Sequence, residues 1–321
     1  SVAQFHQFIT LCEATHSNKT SNISIHAPSG FQKALASLHL KALPLPRRLL
    51  PNDPVFSDST LKRGLRQRSR DESSLKILQE QVQKAVQQRK DMAHIRSLHE
   101  QFCAIAYGSG VTPQEREDFV IRYGCTGWTD DVLDALFELG DSRGYVEIGA
   151  GNGQWARALT DRYKQELLNT SSNNKIFEYV LAYDDMSELP LSPEIYHEHT
   201  QPANDYFYSR VQKCDSIQAV LGKWPCRGRI LLLVYPPPGP MAMETVKTYA
   251  ELGPENDMVV FVGEGRGGAN ANNELFDYFE SGDWAILRVL PVKPQPGGKG
   301  YEKLYILQRI HHEGNDERKD K

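Results

Sequence analysis

The 321-residue chain predicts an α/β fold: a doubly wound, mostly parallel sheet with a C-terminal antiparallel hairpin, preceded by a helical N-terminal region. Three observations carry this. From Thr126 onward, β-rich segments alternate with helix-length segments, the pattern of strands joined by crossover helices. The last two β-rich segments are separated only by a short stretch containing Pro296-Gly297-Gly298-Lys299-Gly300, so they pair antiparallel. Upstream, a proline-free stretch carries apolar residues three or four positions apart, the spacing of one helical face.

Taken in order, residues 1–58 mix Ser, Asn and Thr with Pro44, Pro46, Pro51 and Pro54, and read as an irregular lead-in. Residues 59–121 read as a basic helical region. It opens with Lys62, Arg63, Arg66, Arg68 and Arg70. One long helix is expected to follow, with Leu75, Leu78, Val82, Val86, Met92, Ile95, Leu98 and Phe102 on its apolar stripe and Gly108 and Gly110 as its stop. Residues 122–310 form the α/β domain, and 311–321 a polar tail. Strands are expected at 144–148, 177–183, 206–211, 229–235, 258–262, 284–292 and 302–310. Helices start near Gln154, Ser216, Pro240 and Asn272, and the Pro-rich acidic segment after the second strand reads mostly as loop.

Composition narrows the class. A chain with 40% hydrophobic and 24% charged residues is unlike collagen, a coiled coil or a fully disordered segment. Its longest apolar runs, 102–107 and 230–235, are far shorter than the ~20 residues that span a bilayer. Five cysteines without a C-x-x-C pair argue against a disulfide framework, which points to a reducing intracellular compartment: the cytoplasm first, with mitochondrion and nucleus still open. His197 and His199 lack a third ligand at metal spacing, so no metal site is expected. The net charge of −4 divides unevenly: residues 1–126 carry +6 and the remainder −10. A basic front on an acidic body fits intramolecular docking or an acidic partner such as RNA.

The first strand runs into Glu147-Ile148-Gly149-Ala150-Gly151-Asn152-Gly153 and then into a helix. Glycines there let the backbone turn tightly and approach a ligand, while the helix start offers unpaired N–H groups. The spacing is G-x-G-x-G, without the glycine or alanine that a dinucleotide fingerprint wants at Gln154. Glu147 at the strand end would repel a pyrophosphate and attract a cationic group.

Over residues 122–310 these features resemble the class I S-adenosylmethionine-dependent methyltransferases. The resemblance implies S-adenosylmethionine as cofactor, with Glu147, Gly149, Gly151 and Gly153 at its methionine end. It implies Asp184, with Asp185 second, on the ribose hydroxyls, and Asp215 near the adenine. Tyr123-Gly124-Cys125-Thr126-Gly127-Trp128 lies where related enzymes close over the cofactor. After strand four, Tyr235-Pro236-Pro237-Pro238 resembles the [D/N]-P-P-aromatic motif of amino-group methyltransferases, but Tyr235 replaces the acceptor and Pro238 the aromatic. After strand five, Gly263-Glu264-Gly265-Arg266-Gly267-Gly268 puts Glu264 and Arg266 in a flexible loop at the carboxyl edge. The candidate catalytic residues are therefore Tyr235, Glu264 and Arg266, with an internal Glu264 to Arg266 ion pair as the structural alternative for the last two.

The function expected is methyl transfer to a macromolecule, RNA or a ribonucleoprotein first, recruited through the basic residues Lys62 to Arg70. Two alternatives remain open. One is a methyltransferase-fold scaffold or assembly factor with little or no activity, and the other a methyltransferase of small molecules.

Overall fold

The structure, a computed structural model, describes residues 46–57, 59–107, 110–140, 142–169, 178–186, 205–298 and 300–310. His197, His199 and the tail 311–321 lie outside the described residues. In chain order the elements are β1 (Arg47–Arg48), α1 (Ser59–Gln87), α2 (Met92–Tyr107), α3 (Pro113–Tyr123), α4 (Asp130–Gly140), β2 (Tyr145–Ile148), α5 (Gln154–Asn169) and β3 (Val180–Asp184). There follow β4 (Gln212–Lys213), α6 (Ile217–Leu221), β5 (Ile230–Val234), α7 (Met241–Glu251), β6 (Met258–Gly263), α8 (Asn273–Phe279), β7 (Trp284–Pro291) and β8 (Lys303–Arg309).

The eight strands form one sheet in the order β1-β7-β8-β6-β5-β2-β3-β4. Strands β4, β3, β2, β5 and β6 are parallel, whereas β8 runs antiparallel between β6 and β7. This is the expected doubly wound sheet with an inserted hairpin. The near-continuous apolar character of its strands has a simple cause. Alternate residues face opposite sides, and both sides are covered. Val146, Leu181, Leu231, Val259 and Tyr305 pack on one face with residues of α6, α7 and α8, while Tyr145, Val180, Leu232, Val260 and Ile306 face α4 and α5.

Three expectations need correction. The long N-terminal helix is two helices. α1 ends at Gln87 and Arg89 turns into the left-handed region at φ 48, its neighbour Lys90 N–H closing back on the Ala85 carbonyl at 3.0 Å. The stripe thereby folds on itself: Leu78, Ala85 and Leu98 are buried together with Val82, Ile95 and Phe102 against them, while Val86 and Met92 at the bend are exposed. Residues 206–211 form turns, not the third strand, which is only Gln212–Lys213. Their bonding capacity goes to neighbours: Tyr208 N–H donates to Asn152 O at 3.0 Å, and Tyr208 Oη to Val180 O at 3.2 Å. The last correction concerns residues 46–57, read as part of the irregular lead-in. β1 pairs with the far edge of the sheet at β7, and Leu49 and Phe56 are fully buried.

Candidate functional site

A cavity of about 650 Å³ opens at the carboxyl ends of β2, β3 and β5, the edge where open α/β sheets hold ligands. Its size lies within the range of small-molecule sites. The glycine turn forms one wall. Gly149, Gly151 and Gly153 have φ of 75, 56 and 74, a region L side chains resist. Gly149 and Ala150 N–H donate to Tyr183 O at 2.9 and 3.0 Å, and Gly151 N–H to Asp184 Oδ2 at 2.7 Å. The turn is thus pinned to the end of β3. Gly149 and Gly151 line the cavity. Gly153 turns away from it, since a Cβ there would meet Tyr208 Cβ at 2.6 Å.

Four acidic side chains belong to the cavity wall, those of Glu147, Asp184, Asp185 and Asp215, and among the described residues its lining holds no Lys, Arg or His. Glu147 is buried and its Oε2 has no hydrogen-bond partner among the described residues. Burial first, and the nearby Asp184 second, push its carboxyl up to about 8, against a smaller opposing pull from the Ala156 amide. Asp184 accepts from Gly151 N–H and, through Oδ1, from Met186 N–H at 2.8 Å. Asp185 is exposed, and Asp215, also exposed, pairs with Lys213 at 3.3 Å. The cavity therefore favours a cation with hydroxyl groups and disfavours a phosphate.

Tyr235, Pro237 and Met241 also line the cavity. Tyr235 is held at φ 49, unusual for a bulky residue. Its N–H donates to Val262 O at 2.7 Å, and Asn270 Nδ2 donates to Pro236 O at 3.2 Å. Asn270 Oδ1 also accepts from Glu264 N–H at 2.8 Å. Asn270→Ala is expected to lower stability by about 2 kcal/mol, because two buried backbone groups lose their partner. Urea unfolding checks this, and a loss below about 0.5 kcal/mol would show that the brace is dispensable.

Glu264 and Arg266 are not among the cavity residues. Glu264 is buried and accepts from Ala269 N–H at 2.8 Å. Arg266 pairs with Asp277 at 2.7 Å and Glu280 at 2.9 Å, and its N–H donates to Phe56 O at 2.8 Å. Both side chains are engaged in tying the loop after β6 to its surroundings. Sequence reasoning did not single out Gln154, Trp155, Ile217 or Met241, all of which line the cavity. Gln154 and Trp155 directly follow the glycine turn, and that adjacency was the available signal. Burial pushes the Cys125 thiol, also in the lining, up to about 11, so it is no thiolate nucleophile near neutral pH.

The basic residues Lys62 to Arg70 fall in the first half of α1, of which only the backbone is described. Among the described residues no three His, Cys, Asp or Glu are grouped to hold a metal, and no helix is long and apolar enough to cross a membrane.

No protein-family model and no curated protein matches the chain. Several of the solved structures that it resembles are methyltransferases. One is a ribosomal protein L11 methylase from Lactobacillus delbrueckii subsp. bulgaricus, at 13% identity over 58% of this chain and 82% of that one, TM-score 0.33. Another is a dimethyladenosine transferase from Plasmodium falciparum, at 11% over 58% and 62%, TM-score 0.31. A third is an O-methyltransferase (NcsB1) from neocarzinostatin biosynthesis, in complex with S-adenosylmethionine and 2-hydroxy-5-methyl naphthoic acid, at 11% over 75% and 70%, TM-score 0.36.

Proposed function

We propose that the chain is an S-adenosylmethionine-dependent methyltransferase acting on a macromolecule, RNA or a ribonucleoprotein before others. The observation that carries the cofactor assignment is the acidic cavity at the glycine turn, which among the described residues has no Lys, Arg or His in its lining and leaves buried Glu147 Oε2 without a partner. A ligand bearing a sulfonium, an ammonium and ribose hydroxyls meets that demand, whereas a dinucleotide pyrophosphate does not. The cofactor supplies an electrophilic methyl group on its sulfonium.

The protein's own part is alignment. Glu147 and the backbone of Gly149 and Gly151 would receive the amino-acid end. Asp184 and Asp185 would accept from the ribose hydroxyls, and Asp215 would lie toward the base. Tyr235, fixed by its strained turn, would form the acceptor side and exclude water. The scaffold reading draws its support from the same turn, where Tyr235 stands in place of an Asn or Asp acceptor.

Calorimetric titration with S-adenosylmethionine and S-adenosylhomocysteine tests the proposal. Micromolar binding is expected, and a loss of at least about 100-fold in Gly151→Arg, which fills the turn, and in Asp184→Ala. A folded wild-type protein that binds neither compound would sink the enzyme reading and leave the scaffold. Binding equal in all three proteins would place the cofactor elsewhere.

A further inference from the structure

Beside the cavity lies a cluster of cations and aromatic rings. Arg122 and Tyr123 end α3. The Arg122 guanidinium stands 5.1 Å from the Tyr123 ring centroid and 5.8 Å from that of Tyr206, and Lys293 Nζ stands 4.7 Å from the Tyr123 ring and 3.1 Å from its Oη. Arg122, Lys293 and Tyr206 are exposed, whereas Tyr123 is buried and lines the cavity.

Among the described residues neither cation forms an ion pair, and their charged ends stand against rings and the Tyr123 phenol. Arg143, Arg157, Arg162, Arg210 and Arg266 each pair with a carboxylate within 3.2 Å. Asp118 is one turn before Arg122 on α3, yet its carboxylate accepts from Gln114 Nε2 at 2.8 Å. Among the described residues no acceptor takes the guanidinium N–H groups of Arg122, which leaves them for a ligand. Cations stacked on aromatic faces present a flat apolar surface and a positive charge together, the combination that single-stranded nucleic acid engages with its bases and phosphates.

We infer that this lip, Arg122, Tyr206 and Lys293 around Tyr123, is the docking site for one or two nucleotides of a single-stranded RNA. It deepens the function proposed above and rests on it for the identity of the cavity. The charge arrangement also orients such a substrate. Phosphates are attracted by Arg122 and Lys293 and repelled by the carboxylates of Asp184, Asp185 and Asp215 inside. The phosphates stay on the lip, and only an uncharged base or ribose edge is able to enter beside Tyr123 and Tyr235. The group offered for methylation is therefore an uncharged one, on a base or a ribose, and not a phosphate.

The experiment measures fluorescence anisotropy of a labelled, mixed-sequence, short single-stranded RNA with the full chain across a salt series, alongside S-adenosylhomocysteine calorimetry. Arg122→Glu and Lys293→Glu are each expected to weaken RNA binding about tenfold, and the double variant to reduce the salt slope by about 1.4, as for two phosphates. Tyr206→Ala is expected to weaken binding about tenfold with the slope unchanged. Arg122→Lys keeps the charge and should retain the slope. Circular dichroism melts show whether the exposed substitutions leave folding intact.

Unchanged RNA affinity and slope in a folded double variant would overturn the inference, with loss on replacing Lys62 to Arg70 locating RNA on α1 instead. Poly-glutamate binding as tightly as RNA, and indifferent to Tyr206→Ala, would overturn it in favour of an acidic protein partner. If S-adenosylhomocysteine fails to bind while the lip variants still lose RNA, the methyltransferase reading falls and the lip stands. Cofactor binding with RNA unaffected by the lip variants brings down the lip alone.

Discussion

Glu147→Gln is expected to stabilise the protein increasingly as pH rises, by on the order of 4 kcal/mol above about pH 8. The carboxyl of Glu147 is buried at the end of β2 with one oxygen unpartnered, and its environment raises it from near 4.5 to about 8. Between those values the folded protein holds a proton that the unfolded chain has released. Stability contributed by this group is therefore complete below about pH 4.5 and is lost progressively as pH rises through 8. Glutamine, neutral throughout, does not follow that decline.

Thermal or urea unfolding of both proteins at about pH 5.5 and about pH 9 measures the difference. Near the lower value the gap should be only about 1.4 kcal/mol, because the unfolded chain has already released its proton there while folded Glu147 keeps it. A stability gap that fails to widen with pH would show that Glu147 is ionised in the fold. The same linkage governs ligand binding: a cation prefers the ionised carboxyl, so Glu147's part of its affinity should grow up to about tenfold per pH unit below 8. Comparing proton release on S-adenosylhomocysteine binding between wild type and Glu147→Gln isolates that part.

How far the chain discloses itself differs by element. The sheet was legible because both its faces are covered. Runs such as Ile230 to Val234 and Met258 to Gly263 are therefore apolar throughout, and each is bounded by residues that turn or cap. The glycine turn was legible because three residues at φ above 50 demand glycine in a fixed spacing. The bend at Arg89 was not, since a left-handed cap without glycine or proline leaves no mark and the apolar stripe continues across it. Nor was the 206–211 segment: Tyr206, Phe207, Tyr208 and Val211 have strand propensity, but tertiary partners took their hydrogen bonds. The start of α3 did carry a signal, a capping box between Thr112 and Glu115.

At the site, the cavity's acidic residues were readable from motif spacing, because a ligand-facing strand end constrains residue type. The loop after β6 was less so. Its glycines point equally to a substrate approach and to tight packing, and only the three-dimensional contacts tell which. A Cβ at Gly265 would meet Phe56 O at 2.4 Å, and one at Gly268 would meet Glu264 Cβ at 2.3 Å. Close packing alone accounts for both glycines.

That packing makes Phe56→Ala the other large effect, an expected loss of about 3–5 kcal/mol in unfolding free energy. Phe56 is 1% exposed, with ring centroids 5.1 Å from Phe276, 5.3 Å from Tyr305 and 6.1 Å from Phe279. Around it the 46–57 segment is fastened by polar contacts. Leu49 N–H donates to Trp284 O at 3.0 Å, and Asn52 N–H to Glu280 Oε2 at 2.6 Å. Arg47 pairs with buried Asp53 at 2.6 Å and holds its carboxyl below the ordinary value. Glu280 Oε2 also receives Arg266, so one carboxylate joins the segment to the loop after β6. Phe56→Leu, which refills most of the space, should recover more than half of the loss. None of these residues lines the cavity, so cofactor affinity measured by calorimetry below the unfolding temperature should stay within about twofold of wild type. An equal fall in affinity would mean that the segment sets the cavity's shape through the Arg266 loop. A loss of stability under about 1 kcal/mol would mean that residues 46–57 add little to the fold that carries the site.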